Sequence, residues 1–157
     1  MAIVTHKTSK NARYSDVLEY YSYRHKESAK TGYYEPILDE YGFMQERTSY
    51  AVICMDARGS ECEPERWAML CRRTNEMFGK NRRPEERKSH EYILSHPAED
   101  REKMTMEDLL DEGRAFVRDN LYGYDALIAV HRTPTTTTSI FRSIQSGRWH
   151  VPVRRTG

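Results

Sequence analysis

Four tyrosines crowd one short stretch, Tyr14, Tyr20, Tyr21 and Tyr23, and far along the chain His131 closes the apolar run Ala126-Leu127-Ile128-Ala129-Val130. A phenol, with a pKa of about 10, is a poor nucleophile at neutral pH until its proton is lost or shared. A neutral imidazole can hold a divalent cation, and such a cation polarises a phosphate and offsets charge developing in a transition state. Two histidines flanking one apolar residue on a strand share a face, because side chains alternate with period two. No such pair follows His131. After Arg132 the chain reads Thr133-Pro134-Thr135-Thr136-Thr137-Thr138-Ser139, with neither lysine nor acidic residue through Gly157.

The elements that must position these residues are legible from periodicity and turn chemistry. Ala2 to Lys7 reads as a strand. Ser15 is placed as an N-cap, with Tyr14, Val17, Leu18, Tyr21 and His25 on one helical face and Tyr20 at the edge of that stripe. Glu35 to Tyr50 carries Asp39-Glu40-Tyr41-Gly42 between short apolar stretches, which predicts a hairpin or irregular excursion. Tyr50 to Met55 predicts a strand. Pro64 opens a helix whose face is Trp67, Leu70, Cys71, Thr74, Met77 and Phe78, closed by Gly79. His90 to Ser95 is a strand stopped by Pro97. Thr105 with Asp108 forms a capping box for a helix presenting Met106, Leu109, Leu110, Gly113, Phe116 and Val117, which Gly123 ends. Asp125 to His131 is the last clear strand, and no internal repeat is present.

The 157 residues suit one domain with a modest core. A charged fraction of 31% and a mean hydropathy of −0.87 indicate a polar, soluble chain. No apolar run reaches the length of a membrane span, and the first residues do not form a secretory signal, so a cytoplasmic setting is expected. Cys54, Cys62 and Cys71 are odd in number and make no CxxC pair, which favours reduced thiols. Arg132, Arg142, Arg148, Arg154 and Arg155 stand after the last acidic residue, Asp125. With a net charge of +1 for the whole chain, those five arginines leave a body of about −4.

Three further segments carry a family likeness when taken together. They are Cys71-Arg72-Arg73-Thr74-Asn75-Glu76-Met77-Phe78-Gly79-Lys80-Asn81, then Lys88-Ser89-His90-Glu91-Tyr92-Ile93-Leu94-Ser95, then Ala126 to His131. In this order, with Leu18-Glu19-Tyr20-Tyr21 near the start, residues 1–132 resemble the relaxase/mobilisation nucleases, the His-triad relaxases of conjugative plasmids. The resemblance implies an α+β fold, a mostly antiparallel central sheet flanked by helices. It also implies a metal-dependent endonuclease that nicks one DNA strand at a transfer origin. There a tyrosine stays joined to the new 5′ end, a divalent metal (Mg or Mn) assists, and accessory mobilisation proteins are possible partners. By position Tyr20 corresponds to the nucleophile, with Tyr14, Tyr21 and Tyr23 as local competitors. His131 corresponds to the first metal ligand, and His90 is a further candidate ligand. DNA-contacting residues are not assigned.

The family's His-hydrophobe-His pair is missing after His131, and the genetic code offers an explanation. If one base is lost just after the Arg132 codon, restoring the frame turns each of Thr135 to Thr138 into Asp, Asn, His or Tyr. Ser139 then permits an apolar residue and Ile140 permits His. One permitted reading is His-Arg-Asp-Thr-Asp-Asn-Asp-His-Ile-His, followed by apolar residues and Asn-Ser-Val-Arg. Thr138 and Ile140 thus stand where two imidazoles belong, and neither replaces a nitrogen ligand.

On this reading residues 1–132 are a partial relaxase-like domain, and 133–157 are an out-of-frame, disordered Thr/Arg-rich tail. The sheet is expected to be incomplete at its C-terminal strand, with an open edge. The chain is expected to be a truncated relaxase that does not bind metal stably and nicks DNA weakly or not at all. A non-catalytic module binding origin DNA is the alternative, and a small α/β interaction protein is a third reading.

Overall fold

The computed structural model describes residues 3–10, 13–32, 34–47, 50–131 and 139–144. The fold is α+β, with eight strands and four α-helices among those residues. In chain order these are β1 (Ile3–Ser9), α1 (Tyr14–Ser22), β2 (His25–Glu27), β3 (Tyr34–Pro36), β4 (Tyr50–Met55), β5 (Glu61–Cys62), α2 (Trp67–Phe78), β6 (Ser89–Ser95), α3 (Ala98–Arg101), α4 (Met106–Asn120), β7 (Asp125–His131) and β8 (Ser139–Ile144). A six-stranded sheet runs β1-β6-β8-β7-β4-β5, antiparallel at every pairing, and β2 with β3 forms a separate ribbon.

Strand β7 is the spine of the molecule. Its residues from Asp125 to Val130 are all buried, as expected of a strand covered on both faces. Alternation sends Ala126, Ile128 and Val130 into a cluster with Leu109, Leu110 and Val117 of α4. Leu127 and Ala129 point the other way, to Tyr14 and Val17 of α1 and to Trp67, Ala68 and Cys71 of α2. Fully burying each of the larger of these side chains stabilises the fold by about 1.5–3 kcal/mol. At the start of β7 the buried Asp125 accepts from Ala57 N at 3.1 Å and from the Thr74 hydroxyl at 2.9 Å, which ties α2 to the sheet.

Local chemistry sets the helix ends. Thr105 and Asp108 form the expected reciprocal capping box at α4, and those hydrogen bonds hold the Asp108 carboxyl below its usual range. Gly79 ends α2 in the left-handed conformation, φ 61°, which costs glycine nothing. Pro64 starts a 3₁₀ turn, Pro64–Arg66, that leads into α2. Other expectations are corrected. Ser15 lies inside α1 rather than capping it, since Arg13 is the N-cap and makes no side-chain cap bond. His25 leaves the helical stripe because the backbone turns extended at Tyr23, and it begins β2 instead. Leu121 is the C-cap of α4, so Gly123 serves the turn before β7 rather than the helix end.

The expected gap in the sheet is also corrected. Strand β8 lies between β6 and β7, pairing His90 with Ser143, Ile128 with Phe141 and His131 with Ser139. Ladder hydrogen bonds come from the backbone, so a Ser-Ile-Phe-Arg-Ser-Ile segment can occupy the slot whatever its frame of origin. The register is irregular between Ile128 and His131. Thr133 to Thr138 and the chain after Ile144 lie outside the described residues.

Candidate functional site

Tyr20 lies near the C-terminal end of α1 and is 42% exposed. Its ring sits 5.6 Å from the His25 ring, and the Arg47 guanidinium carbon lies 5.6 Å from its centroid. Arg47 is fixed there by backbone. Its Nη2 donates to the Tyr20 carbonyl at 3.1 Å and its Nε to the Tyr23 carbonyl at 3.0 Å. Those acceptors are the last carbonyls of α1, where a cation also complements the negative end of the helix dipole. The Arg47 amide adds a bond to the Ser22 carbonyl at 3.1 Å. His25 Nδ1 donates to the Tyr23 carbonyl at 3.0 Å, so a neutral His25 presents its Nε2 lone pair.

His131 ends β7, opposite Tyr50 on β4 and Ser139 on β8. Alternation puts it on the same face as Leu127 and Ala129, the face covered by α1 and α2. Burial, and then the charge of Arg47, lower its pKa to about 4. It is therefore neutral at physiological pH, the form that binds metal. Arg47 thus links the two residues: its guanidinium lies over the Tyr20 ring and its field reaches His131.

His90 is not part of this constellation. Tyr92 and Leu94 pack against the α4 cluster, so His90, two residues before Tyr92, belongs to that opposite face. There His90 Nδ1 is 3.0 Å from His6 Nε2, and the two rings stack at 5.3 Å. His131 and His90 cannot share one cation across the sheet. Among the described residues no group of three His, Cys, Asp or Glu side chains could hold a metal ion. His131 pairs with Ser139, so Thr138 and Ile140 are the sequence neighbours of its partner, and neither residue type offers a nitrogen ligand. Cys54, Cys62 and Cys71 are free thiols, and burial pushes those of Cys54 and Cys71 upward, so they stay protonated.

No family model matches the chain, and neither does any curated protein or solved structure. The site therefore stands on its own geometry. The competing tyrosines separate on that geometry too. Tyr14 is buried and hydrogen-bonded to Asn75, and burial raises its pKa, which removes it as a nucleophile. Arg47 and His25 were not legible as site residues. Arg47 is 27 positions from Tyr20 and is brought back by the excursion between β3 and β4, whose turn at Asp39 is held by the Tyr41 and Phe43 amides. The one available signal was that excursion itself, placed directly before a core strand.

Proposed function

We propose that this chain is a relaxase-like DNA strand-transfer domain that retains the nucleophile end of its site and has lost the metal end. The observation that carries this reading is Tyr20 on an exposed helix end beside a guanidinium that no carboxylate neutralises among the described residues. In the intact reaction the Tyr20 hydroxyl oxygen would bond to phosphorus as the P–O3′ bond breaks. The phenol proton goes to solvent or base, and the departing 3′ oxygen takes up a proton. Arg47 would hold the phosphate charge against Tyr20. A divalent cation would polarise the same phosphate, but the donors after His131 do not fit one. Nicking by this chain is therefore expected to be absent or very weak.

The expected substrate is single-stranded DNA of a transfer origin on a plasmid or conjugative element, with accessory mobilisation proteins as partners. The setting is cytoplasmic. Among the described residues no helix is long and apolar enough to cross a membrane. The loss of the histidine pair favours a second reading, in which the domain binds origin DNA without cutting it. Fluorescence anisotropy with labelled single strands tests both: binding should weaken steeply with salt, and Arg47→Ala should weaken it at least several-fold. Absence of binding at low salt would remove both readings. Reading the gene's DNA across codons 128–150 tests the frame break. A shifted frame encoding Asp-His-Ile-His supports it, and one that stops at once contradicts it.

A further inference from the structure

Away from Tyr20, at the other end of α1, a cleft of about 290 Å³ opens between α1, the C-terminal end of α2 and the loop leading to β6. Arg72, Lys80, Arg82 and Lys88 line it, against the single carboxylate of Glu76. Lys88 is only 3% exposed. Its Nζ donates to the Arg83 carbonyl and, at 3.1 Å, to the Glu86 carbonyl, and no carboxylate neutralises it among the described residues. An ammonium carries three donor protons, so with two carbonyls engaged one remains for a ligand.

A second observation concerns the floor of the cleft. Asn81 Nδ2 donates to Asn75 Oδ1 at 2.8 Å, and Asn75 Nδ2 donates to the Tyr14 hydroxyl oxygen at 2.7 Å. Each amide passes its donor inward, and both Asn75 and Asn81 hydrogen-bond the Tyr14 hydroxyl, which fixes the floor of the cleft. Burial keeps that hydroxyl protonated. Arg82 folds over Gly79, its guanidinium 3.3 Å from where a β-carbon would sit, so the left-handed glycine makes room for the cation as well as ending the helix. The negative pole of α2, roughly half a charge, and Glu76 oppose an anion here, but four cations outweigh them.

We propose that this cleft is a phosphate-binding site, with Lys88 as the buried donor and Arg72 and Arg82 as the outer clamp. Fixed cations around a buried ammonium donor suit a tetrahedral oxyanion. Tyr14 and Tyr20 lie six residues apart on one helix, about 9 Å along its axis. The ligand could be a free phosphate group or one phosphate of a nucleic-acid strand. The site itself does not depend on Tyr20 acting as a nucleophile.

The test is thermal unfolding of the full chain in inorganic phosphate and in chloride at matched ionic strength. Saturating phosphate should raise the midpoint by ~5 °C or more. Arg72→Glu with Arg82→Glu should abolish the shift, and both side chains are exposed enough to change without disturbing the core. Tyr20→Phe should leave it intact, which separates this site from the proposed nucleophile. Competition by a short oligothymidylate would assign the site to a nucleic-acid strand, whereas phosphate binding without competition would assign it to a small phosphorylated ligand. Equal midpoints in phosphate and chloride, or a shift that survives the double substitution, would overturn the proposal.

Discussion

Arg114 on α4 meets three carboxylates, Glu107, Asp111 and Glu61, at 2.7–3.0 Å, whereas Arg47 and Lys88 on the other side of the sheet donate to backbone carbonyls and meet no carboxylate among the described residues. The same contrast runs through the histidines. On the α4 face His6 stacks on His90, and at the end of β6 His96 lies 2.5 Å from the Glu112 carboxylate. On the α1/α2 face His131 is held neutral by burial and by a nearby cation. Arg114 is thus closed by its own carboxylates, while Arg47 and Lys88 have no carboxylate partner among the described residues. Uncompensated cations fixed by backbone are a standing attraction for an anion, because no internal ion pair has to break before the ligand binds.

The largest effect expected of any single substitution tests whether β7 supports both faces alike. Leu127→Ala and Ile128→Ala should each cost about 2–5 kcal/mol in chemical denaturation, since each leaves a cavity in one of the two clusters. A much smaller loss for Leu127 would mean that the α1/α2 face is too loose to fix a site. Next in size is metal binding. Thr138→His with Ile140→His should raise Mn²⁺ affinity by on the order of 100-fold or more over the unaltered chain, read by calorimetry, because imidazoles then flank the residue paired with His131. Unchanged affinity would break the link between that register and the expected metal motif.

The pH dependence sharpens the comparison further. His131 stays neutral in the folded state down to about pH 4, while in the unfolded chain it titrates near about 6.5. The unfolded chain therefore takes up the proton first as pH falls. Stability present above pH ~6.5 should be lost between about 6.5 and 4, by up to about 3 kcal/mol, and His131→Gln should lose correspondingly less. Equal pH profiles for the two would contradict the assigned burial. On the α4 face, Thr105→Ala should cost about 1 kcal/mol through the lost cap. Tyr20→Phe should change stability least, by under about 0.5 kcal/mol, because Tyr20 is an exposed residue.

Local signals in the sequence carried most of the fold. The Thr105–Asp108 pair, Pro64 and Gly79 act within a turn of themselves, and the apolar run of β7 states its own burial, so each is legible without the rest of the chain. Strand β8 was not, because its place between β6 and β7 is set by backbone pairing across long separations rather than by its own pattern. Helix α3, four residues long, lies below the length at which periodicity gives a signal. The site was half legible. Tyr20 and His131 were picked out by position, but Arg47, which joins them, reaches α1 only through tertiary structure. That His90 stands on the α4 face was not legible either, because a strand's sequence gives its two faces but not which neighbour each face meets.

The most direct test of a retained nucleophile and a lost metal site is a covalent-adduct assay on denaturing gels. Three proteins would be incubated with Mn²⁺ and labelled single strands tiling the DNA around the gene: the chain as it stands, a version with the frame restored after Arg132, and that version carrying Tyr20→Phe. No adduct is expected from the first, a protein–DNA adduct from the second and none from the third. An adduct formed by the unaltered chain, or one that survives Tyr20→Phe, would contradict a retained nucleophile beside a lost metal site.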